Sequence, residues 1–170
     1  MSIDPSVLER EADVYRSLSS GAGIPRVHAF KTECEFNAMV FNLLGPSLED
    51  LFNFYGRKFS LKTALMLADQ LICRLDYIHS NDVIHRDIKP ENYLMGVEKH
   101  RNQVYVTDLG LATERHAAQA EANTGRALNV KLVGTARFTS VNSHLGVGEW
   151  NVLGSCFSNA NRYPSAAPLR

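Results

Sequence analysis

The sequence predicts an α+β fold, mostly helical, with a few short strands. Three segments carry apolar residues at helical spacing, the middle one short. Four short runs read as strands. Between the longest helical segment and a short apolar strand lies a charged, proline-broken loop, IHRDIKPEN at 84–92. At 170 residues and 45% hydrophobic content, the chain is long enough to form one domain with a real core.

Asp4 and Pro5 have the order of an N-cap followed by a helix-opening proline. Leu8, Tyr15 and Leu18 then mark one helical face up to about Ser19, and Glu11 falls on that same face. The run SSGAG stops the helix. RVHAF at 26–30 and NAMVFNLL at 37–44 are predicted strands, and GPS at 45–47 turns the chain. Ser47 followed by Asp50 has the spacing of a capping box. Leu48, Leu51, Phe52 and Tyr55 then form a short stripe.

The clearest element is residues 60–80, SLKTALMLADQLICRLDYIHS. Leu61, Leu65, Ala68, Ile72 and Leu75 recur at helical spacing, with Ser60 as the cap. After the charged loop come a strand YLM at 93–95, a polar connector EKHRNQ, and a strand VYVT ending at Asp108. Residues 113–132 are polar and alanine-rich without clean periodicity, which predicts a long loop. From about Gly148 the composition shifts to Ser, Asn, Ala and Pro with no sustained period, so 148–170 is expected to be a poorly ordered tail.

Bulk properties exclude some classes. Eighteen basic and eighteen acidic residues leave a formal charge of zero, which argues against bulk electrostatic binding to nucleic acid or membrane. No apolar run approaches the roughly 18 residues that span a bilayer. The start MSIDPSVLERE has no signal-peptide core. Cys34, Cys73 and Cys156 suggest neither a disulfide framework nor a metal knuckle, so a reducing compartment fits best. The histidines share no metal-ligand spacing.

The loop concentrates the chemistry. In an extended segment residues two apart point to the same side. Asp87 and Lys89 can therefore face one ligand together, with Asn92 reaching it from the end of the loop, while Pro90 prevents helix continuation. A carboxylate, a cation and an amide aimed at one place suit a charged phosphate and its metal. Asn92 and Asp108 supply oxygen donors of the kind that magnesium takes.

HRDIKPEN carries the pattern H-R-D-x-x-x-x-N, followed at a strand end by Asp108-Leu109-Gly110. Together these resemble the catalytic loop and metal-binding motif of protein kinases. Leu109 stands where phenylalanine is common. LLGPSLEDLF at 43–52 and GTARFTSVN at 134–142 are similar to the casein kinase I family of protein serine/threonine kinases, including Ser140-Val141-Asn142 where most kinases have Ala-Pro-Glu. The resemblance runs from about Leu8 to about Val147. Small-molecule phosphotransferases share an H-x-D-x-x-x-x-N loop, but Arg86, Lys89 and the GTAR segment weigh against them.

The resemblance implies a protein-kinase-like fold with an incomplete N-lobe sheet (1–42, with the helix of Glu11), a partial C-lobe (43–147) and a divergent tail (148–170). It implies ATP and Mg2+ as cofactors and protein substrates with acidic or phosphorylated residues near the target. In that setting Asp87 would accept or orient the substrate hydroxyl and Lys89 would neutralise the transferring phosphoryl group. Asn92 and Asp108 would hold the metal. The backbone at Leu43 and Leu44 would contact adenine, Phe41 would be the gatekeeper, and Leu94 would form the floor. Arg137 would bind the substrate's anionic group. Asn42 departs from the family's usual acidic residue. The expected location is cytoplasmic, with the nucleus also open to the family.

Departures accompany these matches. No G-x-G-x-x-G loop and no strand lysine are present; GAGIPR, the nearest candidate, follows a helix and has Arg26 in place of the last glycine. Glu11 aligns with the family glutamate that pairs with that lysine. A buried carboxylate without a partner is costly. The expectation is that its face is exposed, its helix is mobile, or Glu11 borrows another cation. The family sequence stops after HLGV, so helix 60–80 is expected to leave apolar surface uncovered. Activity is therefore expected to be impaired, the alternative being a non-catalytic, pseudokinase-like interaction segment.

Overall fold

The computed structural model describes residues 5–34, 36–115 and 133–138. Asp4, residues 116–132 of the loop predicted over 113–132, Ser140-Val141-Asn142 and residues 148–170 lie outside the described residues.

Helix α1 spans Pro5–Ser17. Ala12, Tyr15 and Leu18 are buried, and Leu8 and Glu11 are half-buried on the same side, as the spacing predicts. Strands β1 (Val27–Glu33) and β2 (Phe36–Phe41) form an antiparallel hairpin with Glu33 opposite Phe36 and a register irregularity between Val27 and Ala29. β1 is longer than its apolar run because ladder pairing carries the polar Lys31–Glu33 along. β2 is shorter than predicted. Asn42 leaves the ladder, and its side-chain oxygen accepts from the Arg26 N–H at 2.7 Å. Residues 43–47 then cross as a linker, tied down by Gly45 N–H to Met95 O at 2.7 Å and Met95 N–H to Pro46 O at 2.9 Å.

The predicted capping box is present. Ser47 Oγ accepts from the Asp50 N–H at 3.1 Å, and the Asp50 carboxylate accepts from the Ser47 N–H at 2.9 Å, opening α2 (Leu48–Phe54). Leu48 faces the core, whereas Tyr55, at the end of the predicted stripe, is exposed.

Helix α3 (Leu61–Ser80) begins at the predicted cap, with Ser60 Oγ accepting from the Thr63 N–H. Of the stripe that marks it, Leu61, Leu65 and Ile72 are 75%, 62% and 48% exposed, Ala68 is exposed and Leu75 half-buried, whereas Ile78 is wholly buried. The covered face runs through Leu67, Leu71, Tyr77 and Ile78. On that side Gln70 accepts from the Val104 N–H at 2.9 Å, and Arg74 donates to the Val104 carbonyl at 3.2 Å. The helix carries apolar residues on two faces, and periodicity alone does not say which one is covered. The uncovered apolar surface expected on this helix is present.

β3 (Val83–Ile84) pairs with β6 (Thr113–Glu114), and β4 (Tyr93–Met95) pairs with β5 (Val104–Val106), both antiparallel. The first pair, two residues per strand, is too short to leave a sequence signal. The core joins Tyr15, Leu18 and Ile24 to Leu48, Ile78, Val83, Tyr93, Val104, Val106 and Leu109. The chain just after β5 meets α1, where Tyr15 and Glu11 accept from the N–H groups of Asp108 and Leu109. Among the described residues no helix is long and apolar enough to cross a membrane. The arrangement is the predicted α+β fold, helices with small two-stranded antiparallel sheets.

Candidate active site

The loop between β3 and β4 carries Asp87, Lys89 and Asn92. Lys89 is extended, as predicted, and Pro90 opens a single 3-10 turn, Pro90–Asn92, that returns Asn92 toward Asp87. Asp87 is 5% exposed. Its Oδ2 accepts from Lys89 Nζ at 2.6 Å and from Asn92 Nδ2 at 3.2 Å. Its Oδ1 accepts from both the N–H and the hydroxyl of Thr135, each at 2.8 Å. Lys89 also donates to the Thr135 hydroxyl oxygen at 3.2 Å, and Asn92 Nδ2 donates to the Asp87 carbonyl at 2.9 Å. Each carboxylate oxygen thus meets two donors.

The electrostatics follow. Burial alone would raise the Asp87 pKa, but hydrogen bonds from Lys89 and Thr135 bring it below the ordinary aspartate value. The hydrogen bond to Asp87 raises the Lys89 pKa; burial opposes this, and the charges of Asp87, Asp108 and Glu91 add to it.

Beneath the loop, His85 is fully buried. Its Nδ1 accepts from the Asp87 N–H at 3.3 Å, so Nε2 carries the hydrogen and donates to the Thr107 carbonyl at 3.1 Å. Burial lowers its pKa, outweighing the bond to Thr107 and the nearby aspartates. The Thr107 N–H and hydroxyl both donate to the Asn92 carbonyl, at 2.8 and 3.1 Å. His85 and Thr107 thereby tie the Asp87 loop to the strand end that presents Asp108.

Asp108 itself is exposed, and its φ of 62° lies in the left-handed region. Glu11 does not find a cation. Its Oε1 accepts from the Leu109 N–H at 3.1 Å, and no basic side chain bonds it among the described residues. In place of an exposed face or a borrowed cation, the half-buried carboxylate is met by a backbone amide. Burial, then the charge of Asp108, raises the Glu11 pKa, with the Leu109 amide opposing.

Residues 39–44 and Leu94 line an open recess of about 460 Å³. Leu43 is 80% exposed, while Leu44 and Leu94 are half-buried. The lining is apolar apart from Asn42 and the linker backbone, which suits a flat heterocycle with polar edges.

Arg137 is exposed, its guanidinium 5.3 Å from the centre of the Phe138 ring, and it does not touch Asp87; its neighbour Thr135 does. Gly134 makes that approach possible. Its φ is 90°, and a Cβ there would stand 2.3 Å from the Arg86 carbonyl oxygen. Sequence reasoning singled out Arg137 in GTAR and passed over Thr135, whose role shows only once the segment folds back on the loop. His85 was visible in the motif but had no assigned role.

The donor set fits magnesium held jointly with phosphate. Among the described residues no three His, Cys, Asp or Glu side chains gather into a protein cage. One carboxylate and one amide, with substrate oxygens completing the shell, is the usual way a protein takes this ion.

A family model for the protein kinase domain matches residues 2–141. That span contains the catalytic-loop pattern, the Asp108-Leu109-Gly110 turn and the recess, and the chain belongs to the protein kinase domain family.

Proposed function

We propose that the chain is a protein serine/threonine kinase of casein kinase I type, acting on Ser or Thr beside acidic or already phosphorylated residues, with ATP and Mg2+, and that its transfer activity is impaired. The observation that carries this reading is the Asp87–Lys89–Thr135–Asn92 constellation, with the apolar recess lined by residues 39–44 and Leu94 as the candidate base site. Asp87 accepts the substrate hydroxyl proton as that oxygen bonds to the γ-phosphorus, and the bond to the ADP oxygen breaks. Lys89 neutralises the transferring group, and Asn92 and Asp108 hold the metal. Bound magnesium would offset charge on the phosphates. Leu43, Leu44, Phe41 and Leu94 surround the base. Thr135, bonded to both Asp87 and Lys89, holds the two together, and Lys89 in this motif is what the family resemblance ties to Ser/Thr rather than Tyr acceptors. Arg137, exposed next to it, is the anion-binding group. Work in the cytoplasm or nucleus is compatible with this role.

The test incubates the chain with radiolabelled ATP, magnesium and casein, then with acidic, basic and tyrosine peptides, using Asp87→Asn as control. With no G-x-G-x-x-G loop or strand lysine in the sequence, the expected result is weak label on Ser or Thr of casein and acidic peptides, lost in the control. Label that survives Asp87→Asn, or that appears on tyrosine alone, overturns the proposal.

One observation favours a second reading, a non-catalytic kinase-fold segment: Glu11 is met by a backbone amide and an acidic neighbour rather than by a cation. Nucleotide binding without transfer would select it.

A further inference from the structure

Two successive peptide N–H groups at the metal-binding turn are taken by two side chains one helical turn apart on α1. The Asp108 N–H donates to the Tyr15 hydroxyl oxygen at 2.9 Å, and the Leu109 N–H donates to Glu11 at 3.1 Å. The peptide they hold is an unfavourable one. Asp108 sits at φ 62°, a region that non-glycine residues occupy when neighbours over-determine it. Its carboxylate stays exposed while its amide is bound. Tyr15 is itself immobilised. The residue is 1% exposed, and its ring stacks on Phe41 with centroids 6.2 Å apart and planes 18° from parallel. Phe41 lines the recess. One side chain therefore touches both the recess wall and the peptide of the proposed metal ligand.

We propose that Tyr15 is a positioning residue that sets the direction of the Asp108 carboxylate by holding its amide, coupling the base recess to the metal site. This rests on the reading of Asp108 as a metal ligand. A tyrosine present only to fill the core would need its ring and no more. Phenylalanine at position 15 would keep the ring, the Phe41 stack and the packing, and would lose only the acceptor. The Asp108 amide would then have no side-chain partner from α1, and the left-handed conformation would lose one of its two restraints.

The experiment compares the chain with Tyr15→Phe and Asp108→Asn. Amide hydrogen exchange is followed at Asp108 and Leu109, with Val104 and Val106 as internal controls. Mn2+ binding is measured in the presence of ATP, and adenosine binding without metal. In Tyr15→Phe, loss of one hydrogen bond to the part-buried Asp108 amide is expected to speed Asp108 exchange and weaken Mn2+ binding, each by roughly tenfold. Adenosine affinity and strand exchange stay as in the parent. If Tyr15→Phe does not fold, fluorotyrosine at position 15, a weaker acceptor of nearly the same shape, supplies the same comparison. Asp108→Asn that weakens Mn2+ binding while Tyr15→Phe does not, or Tyr15→Phe that weakens adenosine and Mn2+ alike, overturns this inference alone. A parent that binds no Mn2+ with ATP, or Asp108→Asn equal to the parent, overturns the metal reading and this inference with it.

Discussion

Lys89 Nζ donates to Oδ2 of Asp87 at 2.6 Å, while Thr135 donates twice to the other oxygen of the same carboxylate. This buried group is held ionised by neighbours that outweigh its burial. A carboxylate whose folded pKa is depressed stabilises the fold above the ordinary aspartate range, and that contribution is lost as pH falls through the lower folded value. Asp87→Asn is expected to cost about 1–3 kcal/mol at pH 7. It should also flatten the acid limb of stability. Urea midpoints from pH 6 downward check this; parallel curves for parent and variant would contradict it.

Thr135 gives a sharper test of the loop. Thr135→Val keeps shape but removes the hydroxyl that bridges Asp87 and Lys89. A hydrogen bond to a charged group contributes about 1.5–3 kcal/mol, so phosphoryl transfer or nucleotide-dependent turnover should fall by roughly ten- to hundredfold. Thr135→Ser should retain most of it. Steady-state rates of the two variants decide the matter, and equal losses in both would point to packing instead.

The two faces of α3 make opposite predictions. Ile78 is wholly buried, so Ile78→Ala should cost about 2–5 kcal/mol. Ile72 is 48% exposed, so Ile72→Lys should change stability by no more than about 0.5 kcal/mol. Chemical denaturation of both variants reads the orientation of the helix directly, and a reversed order would show that the marker stripe faces the core after all.

Glu11 has the opposite titration from Asp87. Its folded pKa is raised by burial and by Asp108. The resulting penalty is absent below the ordinary glutamate range, grows as pH rises through the folded value and is complete above it. Glu11→Gln keeps an acceptor for the Leu109 amide and removes the charge. It should therefore be more stable than the parent at pH 7, with the difference closing below about pH 4, near the unperturbed glutamate value. Thermal midpoints across that range are the measurement.

What could be read from the sequence depended on how local the cause was. The caps at Ser47 and Ser60 are set by residues three positions on, so spacing alone located them. Strand YLM was found to the residue because its neighbours are polar turns. The side-by-side placement of Asp87 and Lys89 follows from extended backbone, and spacing again sufficed. The covered face of α3 depends on which partner packs there, and a helix with two apolar faces withholds that information. Thr135 reaches Asp87 across 48 positions of chain, and Tyr15 reaches Asp108 across 93. No local pattern records such contacts. Glu11 was placed on the correct face, but its partner turned out to be a main-chain amide, which no residue type announces.

The close approach at Gly134 leaves this position with almost no mutational freedom. An alanine there would collide with the Arg86 carbonyl and also sit in a backbone conformation that L-residues avoid. A one-codon change could thus leave every helix and hairpin intact and still unseat the threonine next door from the carboxylate it grips. In a survey of natural or random variants, this glycine should tolerate replacement as poorly as the aspartate itself, although it carries no chemical group of its own.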